Sequence, residues 1–219
     1  MNWRPRALLC DLDGVVRHWP GHGRARGEQA AGLSPGTIRE LGYGMAFELA
    51  NLGIYTHEQW LAAVAELLIQ RHGPGAEAAI PLWDADPGVL DQHVVALLRR
   101  VHAGGTPIGL LTNNTTALRR DLTRHGLTDL FAVVINSAEV ELVKPAPPIY
   151  RLAAQELDLA PADILFVDDK LANVLAARHV GMRAEQFMTP AQLVDRLAAA
   201  GIPLVADVAA PAEYIGDRR

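Results

Sequence analysis

Three short apolar runs in this 219-residue chain each stop abruptly at residues that carry chemistry. Ala7–Cys10 runs into Asp11-Leu12-Asp13-Gly14, Thr106–Leu111 into Thr112-Asn113-Asn114, and Ile164–Val167 into Asp168-Asp169. Short continuous apolar runs bounded by turn residues read as strands buried on both faces. Phe131–Ile135 and Arg183–Phe187 supply two more. From residue 103 onward the strands alternate with helical stretches at Thr115–His125, Pro147–Leu157, Lys170–Val180 and Pro190–Ala200. Gly126 and Gly181 close two of these, and a proline opens the first turn of two. This alternation predicts an α/β fold with a parallel sheet covered by helices on both faces. Ligands of such sheets sit beyond the carboxyl ends of the strands. The convergence of Asp11/Asp13, Thr112 and Asp168/Asp169 on three strand ends therefore marks the candidate site.

Residues 15 to about 88 break the alternation. A Gly/Arg/His-rich stretch, Arg17 to Gly32, precedes helical patterns at about Pro35–Leu52 and His57–His72, and no convincing strand appears. The reading is a small all-helical insertion over 16–88, lodged after the first strand of a core formed by 1–15 and 89–200. Asp91–His102 is the helix that returns the chain to the core, and 201–219 is a loosely packed C-terminal tail.

Half the residues are hydrophobic, enough for a sizeable core. No apolar run approaches the roughly 20 residues of a spanning helix. A net charge of −5 argues against an extended nucleic-acid footprint. The single cysteine, Cys10, rules out an internal disulfide and favours a reducing compartment, and Met1–Arg6 does not open a secretory signal. The expectation is a cytoplasmic protein, monomer or homodimer, without nucleic-acid or membrane partners. Arginine outnumbers lysine 18 to 2, so Lys144 and Lys170 stand where an ammonium is specifically wanted.

Two carboxylates two residues apart at a strand end, Asp11 and Asp13, can share one face, hold a hard cation, or divide nucleophilic and proton-carrying roles. Alone, the motif is equally a turn that ends a strand. Thr112, Asn113 and Asn114 offer a hydroxyl and amides suited to a phosphate oxygen, or simply cap a helix. Lys144 is stiffened by the prolines of Val143-Lys144-Pro145-Ala146-Pro147-Pro148 and can neutralise a carboxylate and a phosphate together, unless it is a solvated surface lysine. Adjacent Asp168 and Asp169 repel each other, which a metal would relieve; the other reading is Asp169 capping a helix with Asp168 solvated. Asn173 can reach back toward the same point.

In this order and context the four segments resemble the haloacid dehalogenase-like hydrolases. The likeness covers roughly 1–16 and 88–200, with about 100 residues from Asp11 to Thr112, 32 on to Lys144 and 24 on to Asp168. Asn136–Val140 also resembles the family's approach to its lysine. The resemblance implies a Rossmann-like three-layer core with a helical cap of the first cap class. It further implies a phosphate-monoester hydrolase that works through an aspartyl-phosphate on a small phosphorylated substrate. Asp11 would be the nucleophile and Asp13 the acid and base. Mg2+ would be held by Asp11, the Asp13 carbonyl and Asp168. Thr112, Asn113 and Lys144 would bind the phosphoryl group, with Asp169 and Asn173 standing behind the metal ligands. Asp13 separates this pattern from the dehalogenases, which lack it. A phosphomutase or phosphotransferase of the same fold, a dehalogenase, and a catalytically silent binding protein are the alternatives.

The chain departs from the family pattern after Gly14, where Val15-Val16-Arg17-His18-Trp19 stands in place of a hydroxyl and an acidic residue. His18 and His22 with Arg17, Arg24 and Arg26 form a basic cluster that either attracts an anionic substrate or is solvated. Tyr43, Phe47, Tyr55 and Trp60 read as cap core rather than a substrate box.

Overall fold

The computed structural model describes residues 3–206. The chain enters through β1 (Ala7–Cys10), makes a two-residue strand β2 (Arg17–His18), and then forms five helices: α1 (His22–Ala30), α2 (Thr37–Gly42), α3 (Met45–Asn51), α4 (His57–His72) and α5 (Ala79–Asp84). It returns through β3 (Val89–Leu90) and α6 (Gln92–Ala103). The remainder alternates: β4 (Ile108–Thr112), α7 (Leu118–Arg124), β5 (Val133–Asn136), α8 (Ser137–Val140), α9 (Pro147–Glu156), β6 (Ile164–Asp168), α10 (Leu171–His179), β7 (Arg183–Gln186) and α11 (Pro190–Ala199).

Five strands form one parallel sheet in the order β5-β4-β1-β6-β7. Successive side chains on a strand point to opposite faces, and the core divides accordingly. Leu8, Cys10, Ile108, Leu110, Leu165 and Val167 pack on one side against Val94, Leu98 and Val101 of α6, Leu118 and Leu122 of α7, and Leu193 and Leu197 of α11. Leu9, Leu111, Phe166 and Ala184 pack on the other against Ile149, Tyr150 and Ala153 of α9 and Val174 and Ala177 of α10. Both faces are covered, as the apolar strand runs predict. Cys10 pairs in register with Leu110 on one side and Val167 on the other, so Asp11 leaves the sheet between the ends of β4 and β6. The three chemistry-bearing strand ends are thereby neighbours.

The helices between β2 and β3 have a third core of their own, with Ile38, Leu41, Trp60, Val64, Leu68, Ala79 and Trp83 buried in it. Sequence periodicity misplaces parts of this layer. Pro35–Leu52 is two helices, not one, broken around Tyr43 and Gly44. The glycine-rich stretch contains α1, which has almost no apolar stripe. Its Gly23 and Gly27 are one helical turn apart, and a Cβ on Gly27 would meet Ala79 O at 2.5 Å. Close approach of backbones, rather than side-chain burial, seats α1 on α5. The segment expected to lack strands contains β2, which pairs antiparallel with β3 and ties the two crossing chains together. Ile202 is buried in the sheet's core, so the described start of the C-terminal segment is packed rather than loose. Residues 207–219 of that expected tail lie outside the described residues.

Candidate active site

Lys144 organises the cluster at the sheet's carboxyl edge. Its ammonium lies 2.8 Å from Asp11 Oδ1 and 2.6 Å from Asp168 Oδ2, and donates to Leu111 O at 2.9 Å. All three donors of the ammonium are thus used. Burial alone would pull its pKa down, but the two carboxylates hold it above the ordinary lysine value. The backbone of Lys144 is clamped by Asn113, whose side chain accepts from Lys144 N–H at 2.8 Å and donates to Lys144 O at 2.9 Å. Asn113 therefore positions the lysine with its side chain, and any contact with a phosphate would come from its main chain. Neither a solvated Lys144 nor a solvated Asp168 is found; both are buried.

Asp11 is buried beside these charges. Its Oδ1 also accepts from Leu12 N–H at 2.7 Å. Burial pushes its carboxyl well above the usual range; Lys144 pulls it back and Asp168 adds to the rise. The adjacent Cys10 thiol is pushed up by burial and by Asp11, so it is an inert packing group. Asp168 accepts from Asn173 Nδ2 at 2.9 and 3.0 Å and from Lys170 N–H at 2.8 Å. Asn173 does reach back to this carboxylate.

Thr112, at the end of β4, is fully buried, and its hydroxyl has no hydrogen-bond partner. An orphaned buried hydroxyl costs about 1–3 kcal/mol, which an incoming phosphate oxygen would recover.

Asp13 does not join the Lys144 cluster. Beyond β1 the chain bends at Leu12 and carries Asp13 toward the helical layer, where it is held by four donors. Oδ1 accepts from Arg17 Nε and Trp19 Nε1, each at 2.7 Å. Oδ2 accepts from the second guanidinium nitrogen of Arg17 and from Asn114 Nδ2, each at 3.0 Å. Arg17 is only 1% exposed and also pairs with Asp121 at 2.9 Å. The expected basic cluster is therefore not one surface, since Arg17 is spent on Asp13 and Asp121.

Asp11, Asp168 and Asp169 each bring a carboxylate oxygen within 4.8 Å of the others. Three carboxylates face one ammonium, so the cluster is anionic. Asp169 Oδ1 is buried without a partner, and burial and Asp168 raise its carboxyl. A Cβ on Gly14 would overlap the Asp169 carboxylate, so glycine keeps this space open. Hard oxygen donors with unmet charge fit a divalent cation such as Mg2+. Asp169, expected behind the metal ligands, stands among the three oxygens, while the Asp13 side chain stands apart.

The family model for haloacid dehalogenase-like hydrolases matches residues 5–181. This chain belongs to that family. The hydrolase is 30% identical over 195 residues to a phosphoglycolate phosphatase of Yersinia pestis, covering 80% of this chain and 78% of the relative. Its fold is similar to a family enzyme from Bacteroides thetaiotaomicron solved with magnesium and inorganic phosphate. There the TM-score is 0.68 and the identity 17%, over 84% of this chain and 94% of the other. It is also similar to a dehalogenase, with a TM-score of 0.72 and 17% identity over 89% and 97% of the two chains.

Sequence reasoning missed how the hydrolase holds Asp13. Arg17 lies four residues on, across a glycine turn in which Gly14 N–H donates to Arg17 O at 2.8 Å. An acid and an arginine flanking a glycine were the available signal. Also missed was the link from the helical layer to the core, where His57 Nδ1 lies 2.8 Å from Thr115 Oγ1 and His57 Nε2 lies 2.7 Å from Asp84. Arg120 donates to the same Asp84 oxygen at 3.0 Å. Burial would raise Asp84, but His57 and Arg120 hold its carboxyl low. No feature of the sequence pairs these three residues in advance.

Proposed function

We propose that this hydrolase is a Mg2+-dependent phosphate-monoester phosphatase that works through an aspartyl-phosphate. The observation that carries the reading is a buried carboxylate, paired with an ammonium, next to an unpartnered buried hydroxyl. Asp11 lies against Lys144 at the end of β1, and the end of neighbouring β4 carries the unpartnered Thr112 hydroxyl.

Asp11 Oδ1 is held by Leu12 N–H and Lys144. That leaves Oδ2 to attack phosphorus, forming the Oδ2–P bond as the ester P–O bond breaks. Asp13, once a donor has left one of its oxygens and that oxygen has taken a proton from solvent, gives the proton to the leaving oxygen, then takes one from the water that hydrolyses the aspartyl-phosphate to inorganic phosphate and free Asp11. Thr112 binds the transferring group, and Lys144 offsets charge that would otherwise repel Asp11 from it, reaching a phosphoryl oxygen by releasing the Leu111 carbonyl. The four lone-pair positions of Asp13 are filled. A substrate oxygen therefore reaches it by displacing a donor, and the exposed Trp19 indole yields most cheaply. Asp11, Asp168, Asp169 and the Asp13 carbonyl would hold Mg2+, which when bound supplies further neutralisation of phosphoryl charge. The helices over 16–88 serve as a cap over the strand ends. The relatives' name makes a small phosphorylated metabolite the natural substrate class.

The test is phosphate release from simple phosphate esters with and without Mg2+. Asp11→Asn should lower kcat at least about a thousandfold, as loss of a nucleophile does. Mass spectrometry of rapidly quenched protein should show a phosphoryl adduct on wild type and none on the variant. Undiminished turnover in Asp11→Asn would overturn the mechanism, and halide release from haloalkanoates in place of phosphate release would move the protein to the dehalogenase branch.

A further inference from the structure

A cavity of about 850 Å3 lies between the strand ends and the helical layer, with Asp13, Asn113 and Asn114 on its core side. That is near the upper end of the range of about 300–1,000 Å3 for pockets that enclose a drug-sized molecule. The opposite side carries four rings beside Arg24, Arg39 and Glu48, with Arg24 donating to the Tyr43 hydroxyl at 3.1 Å. Tyr43, Phe47, Trp60 and Trp83 line it as one cluster, with centroids of adjacent rings 5.0–5.9 Å apart and mostly edge-on. With Trp19 at the rim, five of the chain's twelve Phe, Tyr and Trp residues face this single space. The helical layer does not need all of them as core. Val64, Leu68, Ile38 and Ala79 are completely buried within it, whereas Tyr43 is 38% exposed and Phe47 half-buried toward the cavity.

A second observation points to a ligand there. Asn51 also lines the cavity, is 7% exposed, and its Oδ1 is buried with no hydrogen-bond partner. A buried acceptor of this kind is uncommon in native structures and is satisfied by a donor carried in by an occupant.

We propose that the leaving alcohol carries an aromatic ring, which packs against Tyr43 and Phe47, backed by the buried Trp60 and Trp83, while its phosphate lies at Asp11. This rests on the phosphatase reading above and deepens it. Edge-to-face ring packing selects such a group over an alkyl chain of similar reach, and the placement makes the helical layer the specificity element. Tyr43 and Phe47 are specificity residues here, not catalytic ones.

The experiment compares 2-phenylethyl phosphate with ethyl phosphate, whose leaving oxygens are both primary alkoxides and so match in intrinsic reactivity. Wild type should favour the aryl ester in kcat/KM by about tenfold or more, chiefly through KM. The double variant Tyr43→Ala/Phe47→Ala should bring the ratio within about threefold, the loss falling on KM for the aryl ester. Asp11-dependent hydrolysis of both esters at similar kcat/KM by wild type would overturn the proposal and leave the phosphatase reading intact. If neither ester is hydrolysed, the two are compared as ligands instead, by calorimetric binding of each in Mg2+. A tenfold preference for the aryl ester, lost in the double variant, sustains the proposal; equal or absent binding overturns it.

Discussion

Lys144 is the residue on which the charge balance of the site turns. It is the sole ammonium against Asp11 and Asp168, and all three side chains are at most 7% exposed. Removing one partner of a buried ion pair strands the other and costs about 3–5 kcal/mol. Lys144→Met should lose roughly that much by urea denaturation in metal-free buffer, and added Mg2+ should return part of it. A loss under about 1 kcal/mol would mean that the carboxylates are relieved by something other than this lysine. Arg17 acts through Asp13. A lysine there keeps the charge but not the two parallel bonds. Arg17→Lys should lower kcat about tenfold, the loss of roughly one charge-assisted hydrogen bond, with KM changed by less than about twofold. Steady-state kinetics on any accepted ester separates the two parameters, and a change confined to KM would place Arg17 in substrate binding instead.

At the scale of elements, the fit of α1 on α5 depends on an absent side chain. Gly27→Ala improves intrinsic helix propensity by about 1 kcal/mol, yet its Cβ would press on Ala79 O. Overpacking of this kind costs about 1–3 kcal/mol, so the variant should be destabilised despite the better helix former. Gly44→Ala is the matched control. It lies at the start of α3 with a negative φ, and nothing stands within 4 Å of where an alanine methyl would sit. With no overlap to relieve, thermal unfolding of this variant should show only the loss of glycine's N-cap preference over alanine, under about 1 kcal/mol. Equal effects at the two sites would show that α1 is not seated by close backbone approach. The same contrast explains why α1 escapes a periodicity reading: Gly23 and Gly27 pack by their lack of bulk, and no apolar repeat announces them.

For the molecule as a whole, the anionic cluster at the sheet edge predicts that folding and metal binding are coupled. A cation that binds only the folded chain, at a hundred times its Kd, adds about 2.7 kcal/mol. For a chain of this length that is roughly 5–10 °C in Tm. Calorimetry with Mg2+ and with excess EDTA checks the shift, and Asp168→Asn/Asp169→Asn should abolish it. A Tm indifferent to Mg2+ in wild type would remove the cation from this site. Among the described residues no helix is long and apolar enough to cross a membrane.

The sequence by itself determined the sheet and the edge at which its acidic and hydroxyl side chains gather. Ala7–Cys10, Ile108–Thr112 and Ile164–Asp168 are apolar enough to be buried on both faces, and a parallel sheet brings their carboxyl ends side by side whatever the details of the helices. Asp11, Thr112, Lys144 and Asp168 are legible because each sits where such a strand or a stiff connection stops. Only the tertiary structure decided where Asp13 points, because β1 ends at Cys10, the chain bends at Leu12, and a glycine turn with φ near 97° at Gly14 folds Arg17 back onto the carboxylate. It likewise decided that Asn113 holds Lys144, that His57 meets Asp84 and Thr115, and that rings from α3, α4, α5 and the α2–α3 turn share one cavity. Those contacts join residues far apart in the chain through the packing of helices, and local spacing carries no information about a partner that the fold has yet to bring near.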